Sequence, residues 1–252
     1  MMEHDTGLKA FPGPCLVLTC TIDVKGIAFM DRSDIAVRLG DYRKSLERWI
    51  ANPAVRNIVV VENSDYDLSE LRRIAEAAKG RKAVEFISCD KQDFPRDRGK
   101  GYGETLALME VAEKSALLRQ SGYFLKVNGR YYLPNAAAVL ADIAPGTGVY
   151  CSLTDRLRWV DSRVFGGSAV FLRDYVCREG LLTDDVKGMY FEHRLAIAAL
   201  RAIADGLVWR PQRVAPHIAG ISGTNNKNFR TNPLRQFART QWFRLRSALF
   251  EK

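Results

Sequence analysis

Four short apolar runs, each rich in β-branched residues, alternate with helical segments through the first half of the chain. The runs are residues 14–21, 57–62, 83–88 and 123–127. Apolar runs of this length without polar alternation are typical of strands that are buried on both faces. Strands that alternate with helices build a mostly parallel sheet with helices packed on it. The sequence therefore predicts an α/β fold.

The segments between these runs have helical periodicity, and the second half of the chain is less regular. Helices are predicted between the runs at residues 41–50, 67–80 and 105–119. Two further strands and one helix are predicted at residues 149–153, 163–172 and 189–204. No internal repeat or linker divides the chain, so we expect one domain over residues 1–225 and a tail over residues 226–252.

The positive charge of the chain is concentrated in this tail. The 252 residues carry 38 Lys and Arg against 29 Asp and Glu, a formal net charge of +9. Residues 226–252 hold seven of these cations and one Glu, so the tail contributes +6 and the rest only +3. A nearly neutral body without a recognised binding motif argues against a nucleic acid as partner. No apolar run approaches the ~18 residues that span a bilayer, which argues against an integral membrane protein.

The tail is predicted to form a basic amphipathic helix. One arc of a helical wheel collects Leu234, Ala238, Trp242, Leu245 and Leu249. The adjacent arc collects Arg235, Arg239 and Arg246, with Phe243 and Phe250 flanking them. Such a helix suits an anionic membrane surface, which we expect residues 230–252 to contact. The alternatives are a helix that packs on the domain and exposes its arginines, and a helix that binds nucleic acid.

Cysteine usage and the N-terminal residues indicate a reducing, cytoplasmic location. The five cysteines form no CxxC pair and no cluster with zinc-ligand spacing, so we expect free, buried thiols. Residues 1–11 lack the basic start and apolar stretch of a secretory signal. Together with the basic tail, these features predict a peripheral protein on the inner face of the cytoplasmic membrane.

Polar side chains follow the first three predicted strands. In chain order they are Thr19, Thr21, Glu62, Asn63, Ser64 and Asp90. Ligands of an open parallel sheet bind at the carboxyl ends of its strands. Carboxylates and hydroxyls at that edge suit a ribose and a base, although any one of them is also explained by helix capping or turn formation.

A glycine-rich segment, residues 99–104, precedes the helix predicted from residue 105. Its candidate phosphate-binding residues are Lys100, Gly101, Gly103 and Glu104. Glycines let backbone N–H groups approach a phosphate, and the N-terminus of the following helix favours an anion. The segment lacks the GK[ST] of a P-loop and follows the third strand, so it is not a dinucleotide-binding fingerprint either. A simple surface loop is the alternative.

The order of these features resembles the nucleotide-sugar glycosyltransferases of the GT-A fold. Residues 59–67, Val-Val-Val-Glu-Asn-Ser-Asp-Tyr-Asp, are similar to the run that ends the second strand of that family and contacts the nucleoside. Segments 99–104 and 122–131 look like its glycine loop and metal-site strand, and residues 126–135 look closest to bacterial transferases that build surface polysaccharide. The resemblance covers about residues 14–225. It implies a GT-A-like sheet and a nucleotide-sugar donor.

The resemblance departs from the family at the metal site. The family's Asp-x-Asp, which holds Mg²⁺ or Mn²⁺ on the diphosphate, would fall at residues 126–128 (Lys-Val-Asn) or 128–130 (Asn-Gly-Arg). Neither supplies two carboxylates, so we expect a cation to neutralise the leaving group and transfer to proceed without a metal. The donor-binding residues implied here are Lys126, Asn128 and Arg130. Residues 65–67 (Asp-Tyr-Asp) match the Asp-x-Asp pattern. They follow the second strand, however, where the family contacts the nucleoside, so they are the less favoured metal site.

An inverting transferase needs a carboxylate that deprotonates the acceptor hydroxyl. In the family this base lies late, near the start of a helix, where this chain has Glu192, with Asp185 as the second candidate. A first-turn glutamate that only stabilises its helix is the alternative. The residues assigned to the acceptor are Asp155, Arg156, Gly166 and Gly167. A lid over the diphosphate is expected at His217, Ser222 and Gly223.

The sequence thus predicts a glycosyltransferase that uses a nucleotide-sugar donor and a lipid-linked or oligosaccharide acceptor in surface polysaccharide synthesis. One rival is a sugar-nucleotide pyrophosphorylase-type nucleotidyltransferase. Residues 20–26 are not the Gly-rich, basic loop which that class needs after its first strand. The other rival is a non-enzymatic nucleotide-binding domain that is recruited to membranes by its tail.

Overall fold

A computed structural model describes most of the chain. The described residues are 13–26, 31–95, 98–223, 226–229 and 233–249. The predictions that concern residues 1–11 and residues 230–232 and 250–252 of the tail, including Phe250, lie outside these ranges. All further structural statements refer to the described residues.

A seven-stranded sheet forms the centre of the molecule. Its strands are β1 (Cys15–Cys20), β2 (Asn57–Glu62), β3 (Ala83–Ser88), β4 (Tyr123–Asn128), β5 (Val149–Tyr150), β8 (Val164–Ser168) and β9 (Trp209–Arg210). Their order is β3-β2-β1-β4-β8-β5-β9. The first four are parallel, β8 is antiparallel to β4 and β5, and β9 is parallel to β5. The mostly parallel α/β sheet that the sequence predicted is confirmed.

Two small hairpins lie outside this sheet. They pair β6 (Leu153–Thr154) with β7 (Trp159–Val160), and β10 (Gly220–Ile221) with β11 (Asn228–Phe229). The helices are α1 (Ile35–Ala51), α2 (Ser69–Glu76), α3 (Lys100–Lys114), α4 (Ala116–Ser121), α5 (Ala136–Ala141), α6 (Cys177–Gly180), α7 (Phe191–Ala204) and α8 (Pro233–Ala248). A π-helical segment, Phe171–Val176, leads directly into α6.

Successive residues of the central strands face two separate cores. In β1, Leu16 and Leu18 pack with α1, α2 and α5, whereas Val17 packs with α3, the π-helical segment and α7. This alternation follows from the two-residue period of a strand whose two faces are both covered. All five cysteines are free and buried in these layers. Burial raises the pKa of Cys15, Cys151 and Cys177 to about 12, so these thiols are unreactive.

Three elements differ from their predicted form for identifiable reasons. The helix predicted at 105–119 begins at Lys100 and breaks at Ser115, where the Glu85 carboxylate accepts hydrogen bonds from Ser115 Oγ and two N–H groups of α4. The strand predicted at 163–172 ends at Ser168, whose Oγ accepts from Phe171 N at 3.2 Å and starts a helix. The helix predicted at 67–80 is shorter, Ser69–Glu76, and the Asp67 carboxylate just before it accepts hydrogen bonds from Ser69 N and Ser69 Oγ.

Candidate functional site

The carboxyl ends of β1, β2 and β4 lie together at one edge of the sheet. The register pairs Thr19 with Asn128 and Cys20 with Glu62. Because neighbouring parallel strands end at the same level, the polar residues that follow them converge there. This edge, together with the adjoining start of α3, contains most of the predicted donor-binding residues.

A fully buried ammonium lies at the centre of this edge. Lys126 Nζ lies 2.5 Å from Asn128 Oδ1 and 2.7 Å from the carbonyl oxygen of Ser162. It also forms an ion pair with Glu104, whose carboxylate accepts from Thr19 Oγ1 at 2.9 Å. A buried charge is costly unless it is paired and hydrogen-bonded, and both conditions are met here. Lys126 therefore holds its neighbours in place rather than presenting a free charge to a ligand.

A second group of predicted donor residues is linked through Asn63. Thr21 Oγ1 donates to Asn63 Oδ1 at 2.7 Å, and Asn63 Nδ2 donates to the carbonyl oxygen of Gly103 at 2.9 Å. Ser64 and Asp90 form an isolated antiparallel bridge beside them, and the Asp90 side chain remains exposed. These contacts tie β1, β2 and α3 to one another at the site.

Glu62, assigned to the donor by the sequence, lies completely inside the protein. Its carboxylate accepts hydrogen bonds from Ile22 N and Ser64 N at 3.0 Å each and from Tyr66 N at 3.1 Å. The Ser64 hydroxyl donates to it as well. A carboxylate whose lone pairs are used in this way stabilises the turn after β2, and it has no free face for a ligand.

The glycine-rich segment is helical rather than an open loop. Lys100, Gly101, Gly103 and Glu104 all belong to the start of α3. A Cβ at Gly101 would lie 2.6 Å from Phe191 Cβ, and one at Gly103 would lie 2.9 Å from the Phe94 ring. These glycines therefore permit close packing, which corrects the expectation of a flexible phosphate-binding loop.

The N-terminus of α3 is covered by Asp185. Gly99 has φ +80°, and a Cβ there would lie 1.8 Å from Asp185 Oδ2, so the position requires glycine. Burial raises the pKa of Asp185, Lys100 opposes this shift, and the nearby Glu192 adds to it. The Asp185 carboxylate thus occupies the helix end that the sequence assigned to a donor phosphate.

Glu192, the first candidate base, lies in the first turn of α7 and is coupled to the buried ammonium. Ser162 Oγ donates to Glu192 Oε1 at 2.6 Å, while the Ser162 carbonyl oxygen accepts from Lys126. One residue therefore links the candidate base to the strand ends. Sequence reasoning missed Ser162 because it lies in a short loop without a motif.

Three rings adjoin Glu192. Tyr190 stacks on His193 with centroids 5.7 Å apart and planes at 22°, and Trp159 lies edge-on to His193 at 4.9 Å. Tyr190 is 44% exposed, and His193 Nδ1 is buried without a hydrogen-bond partner among the described residues. We call Trp159, Tyr190 and His193 the aromatic group. It was not predicted, because Trp159 is distant in sequence from Tyr190 and His193.

The residues assigned to the acceptor do not come together. Asp155 and Arg156 lie at the exposed tip between β6 and β7, both with positive φ. Gly166 and Gly167 lie buried inside β8, where a Cβ would approach the carbonyl oxygens of Phe124 and Gly148 to 2.3 Å. The structure corrects this part of the prediction: the two glycines allow β8 to pair closely and do not line the candidate site.

Arg130 and the lid residues lie on the α1 side of the sheet edge. The guanidinium of Arg130 lies over the Tyr42 ring and against Gly223, and its buried Nη1 has no hydrogen-bond partner among the described residues. Ser222 N donates to the carbonyl oxygen of Lys227 across the β10–β11 hairpin. His217 N donates to the Asn135 side chain at 3.0 Å. Ser222 and Gly223 therefore follow β10 directly, whereas His217 lies before the hairpin and is bound to Asn135.

The residues at the expected metal position do not fit a divalent cation. Lys126 places an ammonium there, and it already pairs with Glu104, the nearest carboxylate. Within the described ranges, no group of three or more His, Cys, Asp or Glu side chains is arranged to hold a metal ion. A cation at this position would face a buried positive charge.

Helix α8 packs on the domain by one face and exposes the opposite face. Phe243 and Ser247 are buried, and Arg239 and Arg246 lie over the Phe243 ring at 5.5 and 5.1 Å. Five large apolar side chains are exposed, Leu234, Phe237, Trp242, Leu245 and Leu249, which are 60 to 82% accessible. Arg235 and Arg244 are exposed as the packing alternative expected, but the helix is turned so that its apolar arc faces outward as well. We call this arc the α8 apolar face.

Among the described residues, no helix is long and apolar enough to cross a membrane.

No protein-family description and no curated protein matches the chain. Solved structures do match. The bifunctional glycosyltransferase WbbM is 11% identical over 92% of this chain and 45% of its own, with a TM-score of 0.48. The galactosyltransferase LgtC, in complex with donor and acceptor sugar analogues, is 16% identical over 88% of this chain and 82% of its own, with a TM-score of 0.47.

A nucleotidyltransferase is also similar in structure. A putative glucose-1-phosphate thymidylyltransferase from Bacillus anthracis is 9% identical over 92% of this chain and 95% of its own, with a TM-score of 0.44. The chain spans less than half of the length of WbbM. At these identities, the function has to be argued from the side chains of the site.

Proposed function

We propose that this protein is a GT-A-like glycosyltransferase. It transfers a sugar from a nucleotide-sugar donor to a hydroxyl of a lipid-linked or oligosaccharide acceptor in surface polysaccharide synthesis, with inversion at the sugar. The observation that carries the proposal is the position of Glu192, which Ser162 holds beside the polar ends of β1 and β4. A carboxylate fixed at the ligand-binding edge of a parallel sheet suits a general base.

The base abstracts the proton of the acceptor hydroxyl while that oxygen attacks the anomeric carbon of the donor. The bond to the diphosphate breaks, and the nucleoside diphosphate leaves with the bonding electron pair. Its developing charge needs a cation. We propose Arg130 for this role, because its Nη1 lacks a partner among the described residues, whereas Lys126 is fully engaged. This chemistry is metal-independent.

The aromatic group is the proposed acceptor platform. Sugars present apolar C–H faces that pack on aromatic rings, and Tyr190 offers a partly exposed ring whose orientation is fixed by His193 and Trp159. Two of its members, Tyr190 and His193, lie on either side of Glu192 in the chain. An acceptor sugar on Tyr190 would therefore lie next to the base.

The α8 apolar face is the proposed membrane contact. Arg235 and Arg244 lie on the two borders of this face, where they suit anionic headgroups while the leucines enter the interface. A location on the inner face of the cytoplasmic membrane follows from this contact and from the free, buried cysteines.

The central test is sugar transfer by the protein and its Glu192→Gln variant. With a panel of UDP-, GDP-, dTDP- and CMP-sugars, the unaltered protein should release nucleotide in the presence of acceptor and retain this activity in EDTA. Glu192→Gln should lower kcat by about 100-fold or more, with donor binding unchanged, because a general base contributes at least that factor. Glu113→Gln, on the exposed surface of α3, is the control. Transfer by Glu192→Gln at the normal rate would contradict the assignment of Glu192 as the base. Loss of transfer by the unaltered protein in EDTA, with recovery in Mn²⁺, would contradict the metal-independent chemistry.

The acceptor platform has its own test. Tyr190→Ala should raise the acceptor KM by about tenfold, the loss expected for one aromatic contact of roughly 1.4 kcal/mol, with the donor KM unchanged. Tyr190→Phe should behave like the unaltered protein, because it retains the ring. If Tyr190→Ala changes only the donor KM, the assignment of Tyr190 to the acceptor site is wrong.

A further inference from the structure

A cavity of about 430 Å³ opens between α1 and the β10–β11 hairpin, on the α1 side of the sheet edge. Lys44, Arg48 and Arg130 contribute to its wall, together with Asp41 and Tyr132. Its size exceeds that of a single phosphate and suits a diphosphate with part of the group attached to it. Of the three cations in this wall, sequence reasoning singled out Arg130 but not Lys44 or Arg48.

Three cations at this cavity have no ion-pair partner within the described part of the chain. Arg48 lies over the Tyr132 ring at 4.4 Å, and Arg130 lies over Tyr42. The one carboxylate in the wall, Asp41, is already bound by Arg32 through contacts of 2.5 and 2.9 Å. The cavity therefore carries uncompensated positive charge.

Two features indicate that this charge is arranged for a ligand. Lys44 and Arg48 are four residues apart on α1, a spacing at which like charges repel and weaken an isolated helix. Arg130 Nη1 is buried and unpartnered among the described residues, although buried donors are nearly always satisfied. An anion in the cavity would relieve both conditions, and arginine binds phosphate oxygens with two parallel hydrogen bonds.

We propose that this cavity is a diphosphate-binding site formed by Lys44, Arg48 and Arg130. The diphosphate belongs either to the nucleotide of the donor or to a lipid-linked acceptor, since both carry the same group. The identity of the two substrates rests on the proposed function, but diphosphate binding does not require that transfer occurs.

The test measures binding of inorganic pyrophosphate by calorimetry in a metal-free buffer. The double variant Lys44→Gln/Arg48→Gln should bind at least about tenfold more weakly than the unaltered protein, because two charge-assisted contacts are lost. The control Arg73→Gln/Lys79→Gln removes the same charge from exposed positions in and after α2 and should bind normally. All four side chains are exposed to solvent, so neither double variant disturbs the core and both should fold.

Absence of pyrophosphate binding by the unaltered protein, or equal weakening by the two double variants, would overturn the proposal. Three further ligands then distinguish the sources. If Lys44→Gln/Arg48→Gln binds farnesyl diphosphate more weakly than the unaltered protein but binds UDP and GDP normally, the cavity belongs to a lipid-linked acceptor. The reverse result assigns the cavity to the donor. Pyrophosphate binding without any sugar transfer would leave the cavity assignment standing while the proposed function fails.

Discussion

At the scale of single residues, Ser162 connects the two charged parts of the candidate site. Its hydroxyl donates to Glu192 and its carbonyl oxygen accepts from the buried ammonium of Lys126. Only the hydroxyl bond depends on the identity of the side chain. Ser162 is therefore a positioning residue for the proposed base, and substitution should affect turnover more than the packing around Lys126.

We expect Ser162→Ala to lower kcat by about ten- to 100-fold, since a hydrogen bond to a charged group contributes roughly 1.5–3 kcal/mol. The donor KM should change little. Ser162→Thr retains the hydroxyl and should recover most of the activity. Steady-state kinetics with the best donor checks kcat and the donor KM for both variants. Equal loss of turnover in Ser162→Ala and Ser162→Thr would show that Ser162 does not act through its hydroxyl on Glu192.

At the scale of elements, α8 separates two roles on opposite faces. Phe243 and Ser247 attach the helix to the domain, which leaves the α8 apolar face exposed. A contiguous exposed apolar surface bordered by cations is typical of an interfacial helix. Burial lowers the pKa of Arg239, and the nearby charge of Asp161 opposes this shift. Asp161 directly precedes Ser162 in the chain, so the inner face of α8 lies near the candidate site.

We expect Leu234→Ser/Leu245→Ser to weaken binding to vesicles that contain anionic lipid by at least about tenfold, because two exposed leucines lose their burial in the interface. Leu182→Ser, at another exposed leucine, is the control. Co-sedimentation with anionic and with zwitterionic vesicles measures the effect. Binding that is equal for the two variants, or equal for the two lipids, would contradict a membrane role for α8.

At the scale of the whole molecule, Asp185 ties the segment before α7 to the start of α3 and affects stability through its protonation. Its folded pKa lies above the ordinary value of 3.8, mainly because of burial. A carboxyl group with a raised folded pKa contributes stability below its unfolded pKa and loses that contribution as pH rises through the folded pKa. Ionised Asp185 therefore costs stability at neutral pH.

We expect Asp185→Asn to unfold at higher denaturant than the unaltered protein at pH 7, with the difference shrinking as pH falls toward 3.8. Asp184 is the matched control. Its pKa is lowered by Lys187, so Asp184→Asn should lose stability at neutral pH instead. Urea unfolding between pH 4 and 8 measures both. A pH-independent difference for Asp185→Asn would show that its carboxylate is not destabilised by burial.

The sequence by itself determined the layered α/β fold, because continuous β-branched apolar runs specify buried strands and segments of 3.6-residue period specify helices. The polar strand ends were indicated because residues that directly follow parallel strands must converge. Glu192 was indicated only by the resemblance to the GT-A family. Only the tertiary structure decided that Lys126 forms an ion pair with Glu104 and that Asp185 covers the N-terminus of α3. It also decided that Ser162, the aromatic group and the cavity beside Arg130 adjoin the site. These features depend on contacts between residues distant in the chain, which no local pattern records. The rotation of α8 was decided in the same way, because the packing of Phe243 determines which arc faces outward.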